Sequence, residues 1–252
     1  MKTHSTNSAR ADLKIIGDNS ASGGLYRNAK IIGDSIINGN LDCINFKSIG
    51  NSRIEGNLRS KHVRIVGSVS ITGSLETEEV RIDGNVETNG DVNAGDLVLR
   101  GGVDIKGGVK SDDLRMTGYA TIRKNCEAET FRSEGPLTIG GLLSADDIDI
   151  RIHSRCKVAE IGGERVSIRR GHHSKLANML KSLFMPPDFF KGKLIADSIE
   201  GDELQLEDTK AKIVRGKNVM IGDGCEIDLL EYEDACRING RSTVKEKKRI
   251  RS

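Results

Sequence analysis

The chain has 252 residues and a net charge of +2, so its length allows one or two domains. Aromatic residues make up 3% of it and Trp is absent, which excludes a core built on aromatic bulk. The near-neutral charge gives no overall electrostatic attraction to nucleic acid, so we expect no nucleic-acid partner. No stretch has the ~18 consecutive apolar residues of a membrane-spanning helix.

The first ten residues, MKTHSTNSAR, hold no apolar segment that could serve as a secretory signal. We therefore expect residues 1–10 to form a disordered tail. We also expect a cytoplasmic protein, with the inner face of the membrane as the alternative location. The five cysteines include no CxxC pair, so free thiols are expected, as is usual in a reducing compartment.

Within residues 11–170 a glycine recurs at every seventeenth position from Gly33 to Gly135, and this period predicts a stacked repeat architecture. The first glycine column contains Gly33, Gly50, Gly67, Gly84, Gly101, Gly118 and Gly135. The second column lies six residues later and contains Gly39, Gly56, Gly73, Gly90, Gly107 and Gly141, with Lys124 in its sixth place.

Residues 63–79 represent one repeat. Apolar residues alternate with polar ones there, which is the period of a half-buried strand. The apolar positions are Val63, Ile65, Val69, Ile71 and Leu75. We place Gly67 and Gly73 at two bends, where a positive φ is tolerated, and the polar run 76–79 at the third. Each repeat is therefore predicted to be one rung of three short strands.

Apolar residues also recur in register from rung to rung. The column that starts at Val63 continues as Val80, Leu97, Leu114, Phe131 and Ile148. Since neighbouring strands lie ~4.8 Å apart, like side chains would stack on like and form the core. The sequence therefore predicts an all-β fold, a parallel β-helix with 17-residue rungs as its main unit over residues 11–170.

Two outward columns are predicted to carry opposite charges. The basic column contains Lys30, Lys47, Arg64, Arg81, Arg115 and Arg132, with Val98 between them. The acidic column contains Glu79, Asp96, Asp113 and Asp147, with His62 at its start and Thr130 within it. Two interpretations stay open: a solvated face whose stripes offset each other, or a lateral docking surface that includes Arg64 and Arg81.

A third outward column begins with three aliphatic residues, Ile32, Ile49 and Val66, which would form an exposed patch. In one interpretation, the N-terminal segment around residues 13–16 covers this patch. In the other, the patch contacts another chain.

Residues 171–193 interrupt the repeat. Their apolar residues have the spacing of an amphipathic helix that Ser174 caps and Pro186 ends, so we expect a short helical insertion or linker. Its aromatic residues Phe184, Phe189 and Phe190 have three open roles: packing on the coil, contact with a membrane surface, or docking of a partner.

Strand-like alternation resumes over residues 194–239, which we expect to form further coils. The final residues 240–252 are rich in Lys and Arg, and we expect a disordered basic tail there.

The repeated pattern I-x-G-x-V-x-x-x-G-x-V resembles the bactofilins, which are bacterial polymer-forming cytoskeletal proteins. An example is Ile82-Asp83-Gly84-Asn85-Val86 followed by Gly90-Asp91-Val92. The resemblance covers residues 29–150 and, more loosely, 194–239. It implies a right-handed β-helix that assembles end to end into nonpolar filaments without nucleotide or metal. It also implies a scaffold role in cell-shape, envelope or motility structures. The chain departs from the family in its 171–193 insertion and in having no apolar motif at its N-terminus.

Nothing in the sequence favours an enzyme, and we expect neither a cofactor nor a metal site. The apolar residues do not recur at every sixth position, as they do in hexapeptide acyltransferases. No GxxxxGK[ST] phosphate loop occurs in the sequence either.

We therefore expect a non-enzymatic scaffold that polymerises through its coil ends, because terminal rungs expose unpaired backbone groups and apolar core. The expected partners are further copies of the chain, a related paralogue or a membrane-associated protein. The end candidates are Leu13, Ile15 and Ile31 at one tip and Ile227, Leu230 and Tyr232 at the other. The alternative is a non-polymerising β-helical adaptor that binds a protein through residues 171–193 or through the charged face.

Overall fold

The computed structural model describes residues 10–171 and 192–250. These residues form fourteen parallel strands in one sheet that follow chain order, so the prediction of an all-β solenoid is confirmed. The strands are β1 (Ala11–Ile16), β2 (Asn19–Ile32), β3 (Ser35–Glu55), β4 (Leu58–Ile71), β5 (Leu75–Thr88), β6 (Val92–Ile105), β7 (Val109–Ile122), β8 (Cys126–Glu134), β9 (Leu137–Ile152), β10 (Cys156–Arg170), β11 (Leu194–Leu206), β12 (Thr209–Ile221), β13 (Glu226–Ile238) and β14 (Thr243–Arg249). The predicted helix lies in the segment 172–191, outside the described residues.

A typical rung is one long bent strand rather than the three short strands predicted. β5, for example, stays paired with β4 and β6 along its whole length, because the backbone bends without breaking the ladders. Residues 89–91 then interrupt the strand at one corner. In the rung 58–74 the first face points Leu58 and Ser60 inward, the second Val63 and Ile65, and the third Val69 and Ile71.

The core is one continuous cluster of stacked aliphatic side chains, with Phe46 and Phe131 as its largest fully buried members. The first face has a second inward column at the position where the sequence pattern predicts a polar corner. Thr77 lies there and is buried, and its Oγ1 is 3.0 Å from the carbonyl oxygens of both Lys61 and Glu79. The hydroxyl can donate to either carbonyl, so burial leaves it satisfied.

The two glycine columns differ in backbone conformation. All seven members of the first column have φ between 111° and 146°, a region that L side chains rarely adopt. In the second column only Gly39 has a positive φ, so the predicted positive φ at Gly73 is wrong. A Cβ on Gly73 would instead lie 2.1 Å from Asn57 Oδ1 and 2.8 Å from the carbonyl carbon of Gly56. From Gly56 onwards, adjacent rungs approach so closely at the second column that a Cβ would clash.

The coil is continuous across the segment 172–191. β10 pairs directly with β11, from Cys156 with Leu194 to Ile168 with Leu206. The rungs then become shorter, because Leu194 pairs with Thr209 and Leu206 with Ile221, both fifteen residues apart. The predicted further coils over 194–239 are therefore part of the same ladder.

The expected disorder of residues 240–252 is wrong for β14, which pairs with β13 from Glu226–Thr243 to Tyr232–Arg249. Ile227 and Val244 are seventeen residues apart and adjacent in the ladder. The charged composition of this segment concealed the repeat spacing.

Candidate assembly surfaces

The N-terminal tip leaves part of its ladder unpaired. β1 pairs with residues 29–32 on the second face and, through Ala11, with Tyr26 at the end of the first face. Residues 19–25 of β2 pair with β3 on one side and have no strand on the other among the described residues. Leu25 in this segment is 65% exposed. The third face and the first face up to Leu25 therefore end in an open strand edge.

The C-terminal tip is open on the opposite part of its circumference. β14 covers the third and first faces, while residues 235–238 on the second face pair only with β12 within the described chain. Ile238 is 39% exposed there. β14 is strongly basic and places Lys247 directly beyond buried Leu230, with its Nζ 4.9 Å from the centre of the Tyr232 ring.

The predicted tip residues lie further inside than expected at the C-terminal end. Ile227 and Leu230 are fully buried and Tyr232 is half-buried, because β14 covers them. At the other end Leu13 is half-buried and Ile15 is buried in β1, whereas Ile31 is enclosed between Ile15 and Ser48. Ile31, Ile227 and Leu230 therefore cannot contact another molecule directly.

The side chains that are exposed at the tips were not predicted. They are Ile16, Leu25 and Ile238. The seventeen-residue spacing from Ile227 to Val244 was the signal that could have found the true last rung, since it places a further strand beyond the predicted one.

The aliphatic patch on the second face is open. Ile16 stacks on Ile32, Ile32 on Ile49 and Ile49 on Val66. Ile16, Ile49 and Val66 are exposed and Ile32 is half-buried. The interpretation that residues 13–16 cover the patch is wrong, because this segment forms the next strand and lengthens the column.

Beside this patch runs a basic column that contains Lys14, Lys30, Lys47, Arg64 and Arg81, stacked in register. All five side chains are exposed, and none of them has an acidic oxygen within 4.0 Å in the described part of the chain. Further along the same column, Arg115 and Arg132 both pair with Asp113. Neighbouring cations ~5 Å apart repel by about 1 kcal/mol in water. Binding of an anionic group to the five unpaired cations would therefore be favourable.

Phe184, Phe189 and Phe190, the predicted contacts in the insertion, lie outside the described residues.

Four of the five cysteines are buried in the coil. Burial raises the pKa of the Cys126 thiol to about 12 and also raises the pKa of Cys43, Cys156 and Cys225. These four buried thiols therefore stay protonated at neutral pH and are poor nucleophiles. Within residues 10–171 and 192–250, no three His, Cys, Asp or Glu side chains are grouped to hold a metal ion.

No helix in the part of the chain that the structure describes is long and apolar enough to cross a membrane.

Two uncharacterized proteins of Bacillus subtilis (strain 168) are similar to part of the chain. YhbF is 40% identical over 111 residues, which are 44% of this chain and 42% of YhbF. YhbE is 40% identical over 97 residues, which are 37% of each chain. The matched region thus spans less than half the length of either relative. No family model and no solved structure matches the chain.

Proposed function

We propose that this chain is a non-enzymatic cytoskeletal scaffold that assembles end to end into filaments without nucleotide, in the manner of the bactofilins. The observation that carries the proposal is the pair of unfinished strand edges, residues 19–25 at one tip and 235–238 at the other. A free edge presents unpaired N–H and C=O groups and is a template for another strand. Filaments of this kind would support cell-shape, envelope or motility structures.

The strength of a contact between two coil tips depends on the burial of apolar side chains as well as on backbone pairing. A net hydrogen bond contributes about 1 kcal/mol, whereas association costs about 4–15 kcal/mol. Pairing along one rung alone would therefore give a marginal contact. Burial of half-buried Leu13 and of exposed Ile238 would add to the contact, since both lie in inward columns.

Sedimentation and negative-stain microscopy of the purified chain without nucleotide test the proposal. We expect filaments from the wild type and their loss in Ile238→Lys. The fold tolerates a lysine at an inward position of a tip, as Lys247 demonstrates. The matched control is Leu142→Lys, because Leu142 is similarly exposed (36%) but lies in β9, several rungs from either tip. A wild type that never sediments, or equal loss in both variants, would contradict the proposal.

The second candidate function is an adaptor that docks an anionic partner on the basic column. It is favoured by the five stacked cations, none of which has an acidic oxygen within 4.0 Å among the described residues. Fluorescence anisotropy with a labelled polyglutamate peptide tests it. We expect Arg64→Glu/Arg81→Glu to abolish binding. Arg115→Glu/Arg132→Glu carries the same charge change at an acid-compensated part of the column and should retain it. Equal binding by both double variants counts against the adaptor.

A further inference from the structure

We infer that the second face of the N-terminal rungs docks an amphipathic α-helix of a partner protein, one that carries an acidic stripe beside an aliphatic stripe. The inference rests on the second candidate function, docking on the basic column, and adds the class of partner. It is carried by the position of that basic column next to the aliphatic column Ile16, Ile32, Ile49 and Val66. Members of the two columns are two residues apart along each strand, so their side chains lie ~7 Å apart on one face.

The cations lack acidic partners because the column on their other side carries amides and an imidazole in these rungs. Its members Asn28, Asn45 and His62 stack in register. Glu79 follows them, but its carboxylate lies 3.3 Å from Nδ1 of His62. The cations beside the first three residues can therefore bind carboxylates of another molecule.

The patch has a defined extent along the coil. Val66 is followed in its column by Asp83, which pairs with Arg100 at 3.5 Å. Arg81 is followed in the basic column by Val98. Since rungs are ~4.8 Å apart, the five cations span ~19 Å and the four aliphatic residues span ~14 Å.

The spacing of the rungs favours a helix over an extended segment as the occupant. A helix rises ~5.4 Å per turn, so a helix along the coil axis would drift out of register by only ~2 Å over five rungs. In an extended strand, side chains on one face recur every ~6.8 Å, so the drift would reach ~8 Å. Helical residues three and four apart also form continuous stripes, which allows acidic and aliphatic stripes to lie side by side.

A bilayer fits the same patch less well. Elements that lie on membranes usually insert Trp, Phe or Leu, whereas the aliphatic column contains only Ile and Val. Its side chains protrude little, because Ile49 and Val66 are 36% and 38% exposed and Ile32 is half-buried. The patch is also only two columns wide, which matches the contact width of one helix with a diameter of ~10 Å.

Two synthetic peptides of about 18 residues, or five helical turns, test the inference. The first places Glu and Leu in adjacent stripes at helical spacing. The second has the same composition, with both residue types dispersed around the helix. We expect the purified chain to bind the striped peptide about tenfold more tightly or better in fluorescence anisotropy. Circular dichroism should show a gain of helix on binding, because isolated helices of this length are marginal in water.

A double variant removes the aliphatic half of the patch and keeps the cations. Ile49→Asn/Val66→Asn should lose the preference for the striped peptide and still bind polyglutamate. The matched control is Ile36→Asn/Leu142→Asn, because these residues are 42% and 36% exposed and lie outside the patch. This control should keep the preference. The β-sheet circular dichroism signal verifies that both variants fold.

The remaining outcomes separate this inference from the function on which it rests. Equal binding of both peptides by the wild type, or a preference that survives in Ile49→Asn/Val66→Asn, overturns the helical partner. Binding of polyglutamate in the same experiment would leave the adaptor standing, whereas no binding of any of the three probes overturns both.

The bilayer is tested by flotation of the chain with phosphatidylglycerol vesicles. Flotation that is lost in Ile49→Asn/Val66→Asn but not in the control, without a preference between the peptides, would identify a bilayer as the occupant and overturn the helical partner. End-to-end assembly is tested separately by Ile238→Lys.

Discussion

At the scale of single residues, glycine meets two separate demands in this coil. Gly84 combines them, since its φ is 146° and a Cβ would lie 2.0 Å from the carbonyl oxygen of Gly67. Gly39 has a φ of 97° but open space around it. Gly162 has neither demand, because its Cβ would meet only Leu142 Cδ1 at 3.9 Å. Substitutions at these three positions can therefore separate the cost of backbone strain from the cost of a steric clash.

Alanine substitutions at the three glycines should therefore differ in cost. We expect Gly39→Ala to lower the free energy of unfolding by about 1 kcal/mol, which is the usual cost of a positive φ. Gly84→Ala adds a backbone clash and should cost about 3 kcal/mol or more. Gly162→Ala should stay within about 0.5 kcal/mol of the wild type. Urea titrations followed by circular dichroism give these values, and equal losses at all three sites would contradict the assignment.

The reactivity of the cysteines is a second property set by individual positions. Cys236 is the only partly exposed cysteine, because the other four are buried in the coil and burial raises the pKa of their thiols. We expect a thiol reagent at pH 8 to modify one equivalent in the native protein and five after denaturation. Rapid modification of two or more thiols under native conditions would show that the coil opens readily.

At the scale of elements, the sequence predicted those rungs in which glycine and aliphatic residues repeat together. Columns such as that of Val63 are recognisable in the sequence because every member is an apolar residue that packs in the same interior environment. Thr77 was assigned to a corner because a satisfied inward hydroxyl looks polar in the sequence. β14 was missed for a related reason: a terminal rung has no neighbour beyond it, so its inward Lys247 stays solvated and is tolerated.

Removal of β14 should expose the end of the core. Deletion of residues 241–252 would uncover Ile227 and Leu230, and full exposure of one such side chain costs about 1.5–3 kcal/mol. We expect a lower melting temperature and new binding of a hydrophobic dye. The matched control lacks residues 251–252 alone and should behave as the wild type. Unchanged melting of the longer deletion would mean that β14 contributes no stability.

At the scale of the whole molecule, the continuity of the ladder shows how the segment 172–191 is accommodated. The segment departs from the corner between Ile168 and Leu194, which belong to columns that Ile150 and Cys156 occupy one rung earlier. The earlier rung turns this corner with the five residues 151–155. Residues 169–171 together with 192 and 193 also number five. Neither the pattern of the insertion nor its composition could reveal this equality, because it depends on the register of two rungs.

Direct ligation of Gly171 to Gly192 should therefore preserve the coil. The five remaining residues suffice for the corner, and the pair between Arg170 and Asp208, with its two N–O distances of 2.7 and 2.8 Å, would still fasten this rung to the next. Shortening the connection from about 25 to about 5 residues lowers its closure cost by about 1.4 kcal/mol. We expect an unchanged β-sheet circular dichroism spectrum and a melting temperature equal to or slightly above that of the wild type. Assembly should also persist, because both tips are remote in the ladder from this corner. A collapsed β-sheet signal would mean that residues 172–191 are required for the coil to form.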